Sequence, residues 1–189
     1  MGNYLNFWNN AYDKRFQRKV YSDVGKYLQK EIYPTILDIG VEPYNVHSQG
    51  FIENKNIKYY QMDPDPPNKI SCDYLMECKV SDSKNTYPHI ESFFDVIMDF
   101  GVFGWNGVLL NQQEQRVYIK NILRMLKPGG VYILHGDRIK VPPYSIEMNS
   151  TIFPHFKPID FLDNPSHVTL SSTDTTWDVW FLRKNSTLL

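Results

Sequence analysis

The chain has 189 residues, with 20 Lys and Arg against 21 Asp and Glu and a formal net charge of −1. That length fits one domain able to bury a sizeable core, and the balanced charge lacks the clustered basic excess of a polyanion-binding protein, so nucleic acid is disfavoured as a partner. Cys72 and Cys78 are too few and too loosely spaced for a disulfide framework or a zinc site, and no apolar run reaches membrane-spanning length or forms a secretory leader, so the expectation is a cytoplasmic protein that spans no membrane.

Residues 10–31 carry Tyr12, Phe16, Val20, Val24, Tyr27 and Leu28 at near-helical spacing with charges between them, which predicts an amphipathic helix within an N-terminal segment over 1–33. Pro34 ends it. Thr35-Ile36-Leu37-Asp38-Ile39 then reads as a buried parallel strand, and Gly40 opens the loop at its end. Val46 to Asn54 predicts a weak, short crossover helix. A second strand over Ile57 to Met62 runs into Asp63-Pro64-Asp65-Pro66-Pro67, where closely spaced prolines impose a rigid turn.

Lys69 to Leu75 predicts a third strand with Asp73 near its end, and Phe93 to Phe100 a fourth, with Asp95 before its core and Asp99 near its exit. Val117, Ile119, Ile122, Leu123 and Leu126 give Gln112 to Leu126 a helical period, stopped by Lys127-Pro128-Gly129-Gly130 with a glycine available as a left-handed cap. Val131 to His135 is the fifth strand. Residues 139–167 form an irregular segment on the expected substrate side, followed by a terminal hairpin over His167 to Ser171 and Thr176 to Arg183. Alternating strands and helices closed by a hairpin make an α/β sheet with an antiparallel addition.

The chemistry concentrates where strands end. An acid at the end of the second strand, Asp63, is placed to hydrogen-bond the two hydroxyls of a ribose; the plain alternative is a solvated turn aspartate beside Pro64, with Asp65 the substitute if the strand ends later. A dinucleotide needs G-x-G-x-x-G for its pyrophosphate, and here Glu42 and Tyr44 stand where further glycines belong. An adenosine without phosphate fits that loop better.

Ile36-Leu37-Asp38-Ile39-Gly40, Asp63 and Lys127-Pro128-Gly129-Gly130 resemble the first motif, the ribose acid and the turn before the fifth strand of the class I S-adenosylmethionine-dependent methyltransferases. The resemblance spans most of the chain, although of the family's G-x-G-x-G only Gly40 is present. It implies a three-layer Rossmann-like sheet, mostly parallel, whose seventh strand is inserted antiparallel beside the fifth. It also implies S-adenosyl-L-methionine as cofactor, held by Asp38, Gly40, Val41, Asp63, Pro64, Asp73, Phe100 and Gly101. Asp38 would act on the methionine amino group through the loop backbone, or else cap the turn; Asp73 would accept from the adenine amino group, or else sit exposed on an edge.

Methyl transfer is an in-line displacement, so holding the partners in near-attack geometry is the main task. Phe103 and Trp105 follow strand four as a pocket wall, or else as packing. His135 closes strand five as a base, or else as a structural histidine. The other histidines, His47, His89, His155 and His167, show no metal-ligand spacing. The expected acceptor is a small polar molecule such as a sugar. A cofactor-free binding or scaffold protein and an RNA methylase are the competing readings.

Overall fold

The computed structural model describes residues 11–40, 56–66, 72–100, 103, 111–137, 154–171 and 176–185. The predicted 46–54 helix lies outside them. Helix α1 (Ala11–Leu28) precedes β1 (Thr35–Ile39), β2 (Lys58–Met62) and β3 (Tyr74–Met76). A 3-10 turn over Val80–Asp82 leads into the single helical turn α2 (Ser83–Thr86), then β4 (Phe94–Phe100), α3 (Gln112–Met125), β5 (Leu126–Asp137), β6 (Phe156–Pro158), β7 (His167–Ser171) and β8 (Thr176–Lys184).

The strands form one sheet in the order β3-β2-β1-β4-β5-β8-β6, with β7 also paired to β8. The first five are parallel, and β8 enters antiparallel beside β5, from Val131 opposite Arg183 to Asp137 opposite Trp177. Along the far edge of β8, β6 takes Leu182 to Lys184 and β7 takes Thr176 to Trp180, so the two short strands follow one another as a broken edge.

Every residue of β1 is buried, as a central strand covered on both faces requires. Alternation divides its side chains: Ile36 joins a core with Val20, Tyr21, Val24 and Leu28 of α1, whereas Leu37 and Ile39 join a core with Tyr118, Ile119, Ile122 and Met125 of α3. The start of α3 is fixed by a capping box, in which the Asn111 side chain accepts from the Gln113 and Glu114 N–H groups and the Glu114 carboxylate accepts from the Asn111 N–H.

Three predicted boundaries change. Residues 69–71 of the predicted third strand lie outside the described residues; among the described ones it is Tyr74–Met76, tied down at its start, where the Asp73 carboxylate accepts from the Tyr59 N–H at 2.9 Å and the Asp73 N–H donates to the Tyr59 carbonyl. Asp73 thus stands at the beginning of β3 rather than near its end. The glycine cap expected for α3 is instead Leu126 in extended conformation, and Lys127 to Gly130 form an irregularity inside β5, with Gly129 at φ +73°. A Cβ on Gly130 would come within 2.9 Å of the Leu126 side chain, which explains the second glycine there. Finally, β6 lies inside the span read as irregular.

Candidate functional site at the strand ends

The C-terminal ends of the parallel strands come together at one edge. Gly40 follows β1 at φ +83°, where a side chain is disfavoured, and its N–H donates to the Met62 carbonyl at 3.0 Å. That bond sets Gly40 beside Asp63, whose own N–H donates to Met76 at 3.2 Å on the neighbouring strand. Asp63 is half-buried, and its Oδ1 accepts from the Asp65 N–H at 2.8 Å, a local turn across Pro64 that fixes the carboxylate's direction. Asp65 is exposed.

Asp73 belongs to the opposite edge, since β3 runs parallel to β2 and Asp73 precedes it. At the C-terminal strand ends β3 presents the exposed Glu77 instead. The switch from apolar strand to acid at Met62-Asp63 recurs in the sequence at Met76-Glu77.

Asp38 is 2% exposed and accepts from the hydroxyls of Tyr21 at 2.6 Å and Tyr59 at 2.7 Å, while the Tyr59 oxygen accepts from the Gln61 amide at 3.0 Å. The carboxylate therefore ties α1 and β2 to β1 from beneath the Gly40 turn. On the other face Asp99, paired with Ile39 in register, is 0% exposed. It accepts from the Tyr118 hydroxyl at 2.7 Å, the Tyr132 hydroxyl at 2.8 Å and the Phe103 N–H at 3.1 Å. Burial, reinforced by the adjoining carboxylate, pushes both phenols well above the ordinary tyrosine range. Phe103 is 4% exposed and packs its ring 5.1 Å from that of Tyr118, so it is a core residue and not a pocket wall.

His135 sits in β5 between Phe100 and Val179, fully enclosed. Burial lowers its pKa to about 4, against a smaller opposing pull from Asp178. A histidine held neutral in the interior is a weak proton acceptor. Phe100 ends β4 in backbone terms, and Val41, Gly101 and Trp105 lie outside the described residues. Neither cysteine is an activated nucleophile: burial raises the Cys72 thiol and pushes Cys78 up to about 11. Among the described residues no group of three or more His, Cys, Asp or Glu is arranged to hold a metal, and no helix is long and apolar enough to cross a membrane.

Five parallel strands in the order 3-2-1-4-5, extended by a reversed strand beside the fifth, with a glycine turn after the first and an acid after the second, define the class I methyltransferase fold. No protein-family model matches the chain, and no curated protein matches it in sequence. Solved structures do match. A 1,6-didemethyltoxoflavin-N1-methyltransferase from Burkholderia thailandensis, with 1,6-didemethyltoxoflavin and S-adenosylhomocysteine bound, aligns at TM-score 0.67 and 16% identity over 92% of this chain and 80% of that one. A 16S rRNA adenine-N1-methyltransferase from Catenulisporales acidiphilia, with cosubstrate SAM, aligns at TM-score 0.54 and 12% identity over 89% and 91%. A TehB-like SAM-dependent methyltransferase from Corynebacterium glutamicum aligns at 0.54 and 14% over 96% and 92%. The chain has the fold of the S-adenosylmethionine-dependent methyltransferases.

Proposed function

We propose that the chain is an S-adenosylmethionine-dependent methyltransferase, working as a single domain in the cytosol on a small polar acceptor such as a sugar. The observation that carries this reading is the alignment of Gly40, Asp63 and Glu77 at three adjacent strand ends. Each offers what the nucleoside needs: bare backbone for close approach, a carboxylate for two ribose hydroxyls, and an acceptor for the adenine amino group. These residues fit the cofactor, and Pro64 supports the Asp63 turn. Val41, Phe100 and Gly101 complete the cofactor side of the reading, and Trp105 the acceptor side.

S-adenosylmethionine, when bound, supplies an electrophilic methyl group on a sulfonium. The work left to the chain is to bind, orient and exclude water. With His135 enclosed and weakly basic, the reading assigns it a structural role and asks for no dedicated base. The net charge of −1 favours a small acceptor over a polyanion. The rRNA-modifying neighbour favours a second reading, an RNA methyltransferase.

Calorimetry with S-adenosylmethionine and S-adenosylhomocysteine tests the proposal. Saturable binding of both is expected, and no heat from either at millimolar concentration would overturn it. RNA binding that weakens steeply with salt would move the acceptor to the second reading.

A further inference from the structure

Among the described residues, Asp99 gathers donors from three parts of the chain at the exit of β4. Tyr118 reaches it from α3, Tyr132 from β5, and the Phe103 N–H from four residues further along the same chain. Both hydroxyls bond Oδ2, whereas the backbone N–H bonds Oδ1. Phe103 is held twice by this node, through its N–H by Asp99 and through its ring by Tyr118. Because Asp99 pairs with Ile39, the node lies one residue below the level of Gly40, on the neighbouring strand.

We infer that Asp99, Tyr118 and Tyr132 form a positioning device for the strand ends, fixing Phe103 and the end of β4 beside Gly40 so that nucleoside binding weakens when the two hydroxyls are removed. The three residues are buried and act through Phe103 and the end of β4. A buried carboxylate suits this task. It accepts several hydrogen bonds at once, and leaving it under-satisfied in the interior is costly, so its donors are held in one arrangement. The inference rests on the methyltransferase reading for the identity of the ligand.

The test is the double variant Tyr118→Phe with Tyr132→Phe, which keeps both rings and deletes both hydroxyls. Two quantities are read: the exchange rate of the Phe103 amide proton, and the dissociation constant for S-adenosylhomocysteine. Asp95→Asn is the control. It sits at the other end of the same strand, where its carboxylate accepts from Thr35 and pairs with Lys127 at 2.8 Å, far from the ligand edge.

The double variant is expected to exchange the Phe103 amide at least tenfold faster and to bind S-adenosylhomocysteine at least fivefold more weakly. The control should lose melting temperature while staying within twofold of wild-type affinity. Wild-type affinity in the double variant overturns the inference, and so does a loss of affinity in both variants that merely follows their loss of melting temperature. If the wild-type protein does not bind the nucleoside at all, the methyltransferase reading fails and the ligand part of the inference goes with it; an unchanged Phe103 exchange rate overturns the positioning part on its own. Should the double variant not fold, Tyr118→Phe alone carries the same comparison.

Discussion

Replacing Asp63 by alanine and by asparagine separates two jobs that its carboxylate performs in the proposed site. Oδ1 accepts from the Asp65 N–H at 2.8 Å and so shapes the turn over Pro64; the charge is what two ribose hydroxyls would bind. Hydrogen bonds to a charged group contribute about 1.5–3 kcal/mol, and each 1.4 kcal/mol is about a factor of ten in affinity. Asp63→Ala loses both jobs, and since one such hydrogen bond alone converts to roughly 10–100-fold, it should raise the dissociation constant for S-adenosylhomocysteine by at least about tenfold. Asp63→Asn keeps an oxygen for Asp65 but loses the charge, and should cost only about threefold to tenfold. The residue is half-buried at a strand end, so both variants should keep the wild-type far-ultraviolet spectrum. Titration calorimetry on the folded variants decides. An unchanged constant in Asp63→Ala refutes the ribose assignment and transfers it to Asp65.

The buried Asp38 gives a stability prediction: Tyr59→Phe and Tyr21→Phe each remove a hydroxyl from it and should each destabilise the fold by about 1.5–3 kcal/mol in urea titrations, a cost below about 0.5 kcal/mol contradicting the network. His135 gives a pH prediction. Its folded pKa of about 4 lies below the ordinary 6.5, so the unfolded chain takes up the proton first and stability falls as pH drops from 6.5 toward 4, by about 3 kcal/mol in all. His135→Leu should flatten that part of the profile, and an unchanged acid limb would show that the group is not the one titrating. Cys78, pushed up to about 11, should react with iodoacetamide at pH 8 far more slowly than a free thiol, and a rate equal to that of glutathione would refute its burial.

Periodicity and punctuation carried the parallel frame. Helix α1 is legible from Val20, Val24 and Leu28, β1 from an uninterrupted apolar run, and the antiparallel β8 from the terminal hairpin pattern. The position of the candidate site residues was legible where a strand end coincides with a residue of special chemistry, and Gly40 and Asp63 do stand at such ends. It was misplaced at β3. That strand has three residues, too few for an alternation to fix its limits, and Asp73 terminates it at the start by bonding Tyr59 across the pair. The tyrosine partners of Asp38 and Asp99 were illegible for another reason. Their hydroxyls come from residues 17 to 33 positions away, and nothing in local spacing distinguishes a tyrosine that packs from one that also donates.

Those two carboxylates follow one plan. Asp38 faces α1 and takes one hydroxyl from that helix and one from the adjacent strand β2; Asp99 faces α3 and takes one from that helix and one from the adjacent strand β5. Asp38 lies two residues before Gly40, and Asp99 pairs with Ile39, so the end of β1 is bracketed from both faces of the sheet. A tyrosine serves this arrangement better than a lysine or arginine. Its ring fills core volume while its hydroxyl satisfies the carboxylate, and it brings no second charge to desolvate. In the proposed site the Gly40 turn presents bare backbone to a ligand, and such a turn has little side-chain packing of its own to hold it. On the proposed reading its position is set from below, by the two buried aspartates acting through strands and helices.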